Sequence, residues 1–264
     1  MRWGLGDTPE GLEHFVDIAV AAAAGSVGVV KPQSAFYERH GWQGIRALTR
    51  LVDECRSAGV LVLLDAKRGD VGSTNVAYGE AYFGAADGHA DAGLAVDALT
   101  ITPYLGLAAM RPIIDAASAA GGAVFVVTRS TNPEGRWLQQ ARGAGGATVE
   151  QQLIAEIAEI NAASTTAAVG PVGAVFGPTH EPPADIDLLA MGGLFLAPGL
   201  GAQGATPATV AACFASCPDR VLPSASRSLL GAGPTVGALR DAIAELADEV
   251  KLALSTAKAI AGGR

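Results

Sequence analysis

The sequence predicts an α/β barrel of alternating strands and helices, and three observations lead there. Short β-branched runs recur with stretches of helical spacing between them, which implies parallel strands, because each crossover needs a helix-sized segment. Several runs, VLVLL among them, are apolar almost throughout and suit a sheet buried on both faces. No G-x-G-x-x-G follows an early strand, so a doubly wound nucleotide-binding sheet would lack its usual phosphate loop.

The elements follow in order. A helix over about 9–24 opens the chain and carries an alanine-rich run at 19–24. The apolar run 27–30 ends in Lys31-Pro32, and helical spacing resumes over 42–58. The run 60–64 ends in Asp65-Ala66-Lys67-Arg68-Gly69-Asp70, before a helix at 74–87. A strand at 98–101, a helix at 107–120 and a strand at 124–127 continue the alternation. The loosest stretch, 142–148 (RGAGGAT), reads as a loop leading to a helix at 148–163. A strand at 172–176, a helix at 183–190 and a strand at 194–197 come next. A helix at 207–216, a strand at 220–222 and a helix at 235–260 close the order. That makes eight helices against seven strands, whereas a closed (β/α)8 barrel repeats strand-then-helix. The expectation is a (β/α)8 TIM barrel whose N-terminal first strand is missing from this chain. No linker or composition break divides residues 1–264, so a single barrel domain is expected.

Bulk properties narrow the function. Half of the 264 residues are hydrophobic, enough for a large core, and 34 glycines and 14 prolines suit many short connections. A net charge of −8 argues against a nucleic-acid or anionic-membrane binder, while leaving room for a small basic pocket. Cys55, Cys213 and Cys217 match neither a disulfide framework nor a zinc pattern and read as buried thiols. The four histidines, His14, His40, His89 and His180, have no spacing that suggests a metal site or a triad. The N-terminus carries no basic-then-apolar leader and no run reaches the ~20 apolar residues of a membrane span, so a cytoplasmic location is expected.

Barrel active sites form at the C-terminal ends of strands, and the residues there are selective. Four charged groups in the six residues Asp65–Asp70, directly after five apolar ones, are the sharpest signal. On an extended segment Asp65 and Lys67 share a face, and Asp70 lies beyond in a loop that Gly69 and Gly72 can turn. A lysine flanked by carboxylates stays protonated and can deliver a proton. The carboxylates can press against an anionic substrate; two like charges about 4 Å apart cost on the order of 4 kcal/mol at an effective dielectric near 20. The alternative is an ion-pair cluster closing the barrel mouth. A phosphate site is expected in the last two strand-end loops, from Pro198, Gln203 and Gly204 in LAPGLGAQG and Ser226 and Arg227 in SASR. Thr100–Gly106 can line the pocket floor, and Ser130, Thr131 and Asn132 can read a planar polar ring.

LLDAKRGDVGST, TITPYLG, STNPEG, VGAVFGPT, LAPGLGAQGAT and SASRSLL occur in one order. Together they resemble the orotidine 5′-phosphate decarboxylases, in particular the bacterial type with the AKRGD form, over essentially the whole chain. The resemblance implies conversion of orotidine 5′-monophosphate to uridine 5′-monophosphate in pyrimidine synthesis, with no metal and no organic cofactor. It implies that Lys31, Asp65, Lys67 and Asp70 form a lysine–aspartate array in which Lys67 protonates the ring carbon as carbon dioxide leaves. It also implies a homodimer in which Asp70 and Thr74 reach into the partner's site, with Gln203, Gly204 and Arg227 on the phosphate. Thr131 stands where the family has a serine touching the pyrimidine. The family's first strand, ending in Gly-Ile-Asp-Pro with a ribose-binding aspartate, has no counterpart before Trp3, so a late start or a degenerate copy is expected. Two rival readings are a magnesium-dependent sugar-phosphate enzyme of the same superfamily and a non-catalytic nucleotide-binding protein.

Overall fold

The computed structural model describes residues 3–84, 94–164, 168–179 and 185–262. Thr8 opens the first helix, α1 (Pro9–Ala23): its hydroxyl accepts the Gly11 N–H, and Pro9 sits in the first turn, where a missing N–H costs nothing. Then come β1 (Val29–Val30), α2 (Ala35–Glu38), α3 (Gly41–Ser57), β2 (Leu61–Arg68), α4 (Ser73–Phe83), β3 (Ala98–Ile101) and α5 (Arg111–Ala119). The second half holds β4 (Ala123–Arg129), α6 (Arg136–Gln139), α7 (Val149–Ala162), β5 (Val172–Phe176) and β6 (Phe195–Leu200). It ends with α8 (Pro207–Cys213), β7 (Val221–Ala225), α9 (Arg227–Leu230) and α10 (Val236–Gly262).

The seven strands form one parallel sheet whose spatial order is their sequence order. This is the curled, helix-wrapped architecture of a (β/α)8 barrel. Alternation along the strands splits the core into two layers. The larger lies between sheet and helices and holds Leu64, Leu99, Val124, Phe176 and Phe195 with Leu48, Ile113, Ile157 and Phe214 from the helices and loops. The smaller lies inside the curl and draws on every strand: Val29, Leu63, Ala98, Phe125, Val175, Leu196 and Leu222, with Ala123 and Val127 also from β4. Advancing two residues from that inner layer reaches the same face at the strands' C-terminal ends, at Lys31, Asp65, Thr100, Pro198 and Ser224. The fold therefore carries the candidate site on the floor of its inner layer.

Among the described residues no ladder joins β1 to β7, although the helices outside do meet. Arg240 of α10 donates to the Ala21 and Ala24 carbonyls at the end of α1, at 2.8 and 3.4 Å. On the opposite wall the buried Arg129 of β4 grips Glu150 of α7 through two 2.7 Å contacts, fastening helix to strand. All three cysteines are free and buried, and burial pushes the Cys55 and Cys213 thiols up to about 11. No helix among the described residues is long and apolar enough to cross a membrane.

Three expectations about elements change. The helix expected at 183–190 does not form over its described part: residues 185–190 are turn, and the Asp187 carboxylate accepts the Ala190 N–H. A short polar side chain capping its own turn competes with helix propagation, and Leu188 and Met191 are buried without needing one. Strand β2 runs on to Arg68 rather than ending at 64. The helix expected over 74–87 stops at Phe83, where Gly84 takes φ +93°, and 85–87 lie outside the described residues, as do His89 and His180.

Candidate active site

Asp65 is the centre of the site. Its side chain is 12% exposed and both oxygens are saturated. Oδ2 accepts from Lys31 Nζ at 3.3 Å and from Gln33 Nε2 at 3.1 Å. Oδ1 accepts from Lys67 Nζ at 2.5 Å and from Thr100 Oγ1 at 2.9 Å. Burial alone pushes the Asp65 carboxyl up, but the Lys31 charge, the bond and charge of Lys67 and the Thr100 hydroxyl outweigh it and hold the group below its ordinary value. The carboxylate is therefore locked ionised between two ammonium groups, with Lys67 the more exposed of the two.

The shared face of Asp65 and Lys67 arises differently from the extended segment expected. The β2–β3 register shifts between Leu64 and Arg68, and Lys67 adopts φ +49°. Beyond it, Gly69 and Gly72 serve different needs. A Cβ on Gly69 would lie 2.5 Å from the Thr102 carbonyl oxygen, so close approach demands glycine there; Gly72 is demanded by φ +55°. Asp70 makes no bond to Lys67 or Lys31; its carboxylate accepts the Val71 N–H at 2.8 Å. The loop is held by Asn75, fully buried, whose Oδ1 accepts the Asp70 N–H at 2.9 Å while its amide donates to the Asp70 and Ala109 carbonyls. Thr74, at the start of α4, is exposed beside it. Arg68 points the other way, donating to the Tyr82 hydroxyl at 2.8 Å and pairing with Glu38.

The two loops of the expected phosphate site are neighbours. Strand pairing brings Pro198 opposite Ser224 and Leu200 opposite Ala225. Gly199, Gly201 and Gly204 all have positive φ, and a Cβ on Gly201 would lie 2.8 Å from Ser228 Oγ, next to Arg227. Ser226, Arg227, Gln203 and Gly204 are exposed on this rim. Thr131 Oγ1 donates to Gln203 Oε1 at 3.0 Å, a pairing across 72 positions that spacing could not reveal. Its neighbours are engaged locally: Ser130 with Gln139, Asn132 with Glu134. The structure thus joins Lys31, Asp65 and Lys67 directly, joins Thr131 to Gln203, and leaves Asp70 and Thr74 outside the bonded array. Sequence reasoning missed Gln33 and Asn75. Asn75 closes the run GDVGSTN, but nothing local marks Gln33 as a ligand of Asp65. Among the described residues no group of three His, Cys, Asp or Glu side chains could hold a metal ion.

Comparison with known proteins gives the family and the fold. Residues 7–242 match the Orotidine 5′-phosphate decarboxylase / HUMPS family. The chain is 48% identical over 254 residues to the orotidine 5′-phosphate decarboxylase of Salinispora arenicola (strain CNS-205), covering 96% of this chain and 88% of that protein. It is 43% identical to the enzyme of that name from Streptomyces coelicolor, over the same shares of the two chains. Its backbone superposes with a TM-score of 0.89 on the crystal structure of a protein assigned as orotidine 5′-phosphate decarboxylase from Streptomyces avermitilis, at 42% identity, covering 96% of this chain and 86% of that one. A Leishmania donovani UMP synthase structure gives a TM-score of 0.73 at 28% identity, covering 93% of this chain and 51% of that one.

Proposed function

The chain belongs to the orotidine 5′-phosphate decarboxylase family, and on that premise we propose that it converts orotidine 5′-monophosphate to uridine 5′-monophosphate through the Lys31–Asp65–Lys67 array. The observation that carries the reading is a buried carboxylate clamped by two lysines at the C-terminal end of β2, in a chain this similar to curated decarboxylases.

The chemistry follows from the charges. The bond between the ring carbon and the substrate carboxylate breaks, its electron pair stays on the ring carbon, and an ammonium proton of Lys67 goes to that carbon. Carbon dioxide leaves and the lysine amine regains a proton from solvent. Asp65 keeps Lys67 aimed, and its fixed negative charge disfavours the bound carboxylate more than the transition state that has begun to lose it. Thr131 serves the base, and the glycine loop with Pro198, Gln203, Gly204, Ser226 and Arg227 serves the phosphate, the Thr131–Gln203 bond linking the two. The donor set speaks against magnesium chemistry at Asp65, because both of its oxygens already face ammonium groups.

The working unit is a cytoplasmic homodimer in which Asp70 and Thr74 complete the partner's site. Support comes from the mouth of the barrel, where Val71, Val76, Tyr104 and Leu105 stay exposed on two adjoining segments beside Asp70. One experiment tests reaction and assembly together. Lys67→Ala is expected to lose about 10⁴-fold or more in turnover, about 5–6 kcal/mol of barrier, while still binding a uridine 5′-phosphate analogue. Mixing it with Asp70→Ala chains should restore up to about a quarter of the sites under random pairing, since one site of each heterodimer carries neither lesion. Activity of Lys67→Ala within tenfold of the parent would sink the mechanism. No recovery despite demonstrated subunit exchange would return Asp70 to its own chain's site.

A further inference from the structure

We propose that Thr100 is a positioning residue that sets the conformation of Lys67, an inference that rests on the decarboxylase reading for its kinetic consequence. The reason lies in the irregular edge between β2 and β3. Leu64 pairs with Leu99 and Arg68 pairs with Ile101, so Asp65, Ala66 and Lys67 on one strand face only Thr100 on the other. Extra residues in one strand leave backbone groups without ladder partners and bend the strand. Lys67 is among these, and its N–H is taken instead by the side chain of Thr100, at 2.9 Å.

The same hydroxyl donates its proton to Asp65 Oδ1 at 2.9 Å, the oxygen that also accepts Lys67 Nζ. One hydroxyl therefore ties the backbone of Lys67 to the carboxylate that holds its ammonium group. A hydroxyl has one proton and two lone pairs, and both functions are used in opposite directions here. Thr100 is 1% exposed, so water does not replace it. Lys67 needs such a tie. At φ +49° it occupies the left-handed region that a side-chain-bearing residue holds only when its surroundings impose it. Without the Thr100 acceptor the Lys67 N–H is left unsatisfied beside a buried strand, and the residue gains by relaxing toward ordinary strand geometry. That rotation swings the Cα–Cβ bond and carries the ammonium group away from Asp65. Threonine also holds the hydroxyl well, because branching at Cβ restricts χ1.

The test compares Thr100→Val, which keeps the branched shape and removes the hydroxyl, with Thr100→Ser, which keeps the hydroxyl. For orotidine 5′-monophosphate, Thr100→Val is expected to lower kcat by about 10²-fold or more while KM moves less than about threefold, because the phosphate loops lie on other strands. Thr100→Ser is expected to recover most of kcat. Three results would overturn the proposal: a valine variant within threefold of the parent's kcat, a KM that rises in step with the loss, or a serine variant no better than valine. A second measurement uses the parent protein and needs no variant. The Lys67 amide should exchange slowly with deuterium, and exchange at the rate of the neighbouring exposed loop overturns the clamp even if Thr100→Val does not fold. A parent that fails to decarboxylate the nucleotide would end the decarboxylase reading instead, leaving the amide measurement to judge Thr100.

Discussion

Asp65 shows how a single residue of the candidate site can also govern acid stability. Burial by itself would make its carboxyl a weaker acid, yet Lys31, Lys67 and Thr100 reverse the direction and hold its folded value low. Unfolding releases those partners, so the unfolded chain binds a proton at about pH 3.9 that the native chain still refuses. The stability that Asp65 contributes is thus fully present above that ordinary value and is lost as pH falls through the depressed native one. Urea midpoints measured between about pH 5 and pH 2 should therefore fall more steeply for the parent than for Asp65→Asn. Equal slopes would mean that acid unfolding is governed by other carboxylates. Asn75 works on the same scale without titrating: one buried amide ties the backbone of Asp70 to Ala109 and fixes the mouth loop.

At the scale of elements, the site is assembled by loops whose strands are neighbours. The segments after β6 and β7 are held together by their ladder, and close contact between Gly201 and Ser228 keeps Arg227 on the rim beside Gln203 and Gly204. A glycine run with positive φ lets backbone N–H groups turn toward one point, and an arginine adds a charge-assisted contact. Arg227→Ala should accordingly weaken binding of uridine 5′-monophosphate by about 1.5–3 kcal/mol and leave binding of uridine nearly unchanged. Titration calorimetry with both ligands reads this directly. Equal losses for the two would move Arg227 away from the phosphate.

For the whole molecule, the notable feature is the difference between the two rings. The outer ring meets where Arg240 reaches the end of α1 and where Trp3 packs at a tilt against Phe15 and donates to the Leu230 carbonyl. Among the described residues the inner ring has a gap: β1 and β7 each keep one unpaired edge, and between them lies a cavity of about 820 Å³ lined by Val29, Val30, Leu222, Ala225, Leu239 and Leu246. Its mouth reaches Lys31 and Ser226. Two unpaired edges flanking an apolar slot match the geometry of a strand. Fusing an extended apolar segment ahead of the chain, such as a strand ending in Gly-Ile-Asp-Pro, should raise both Tm and turnover when compared at equal protein concentration. An unchanged Tm and unchanged turnover would mean that the slot takes no strand.

Sequence alone predicted the seven strands and their parallel alternation with helices, and singled out the stretch from Asp65 to Asp70 as the candidate chemical centre. These are short-range properties: runs of apolar residues, a period of two, and charges placed where a strand stops. Motif order added the family, and the comparisons agree with it. The helix that spacing predicts at 183–190 does not form over its described part, because Asp187 closes a turn, a competition that periodicity does not register. Only the tertiary structure decided what surrounds Asp65. Its four donors come from β2 itself, from the segment after β1 and from β3, at separations of up to 35 positions. The left-handed Lys67, the Thr100 hydroxyl beneath it and the bond from Thr131 to Gln203 likewise depend on strand register. Register is set by packing across the sheet, and no local pattern in the chain carries it.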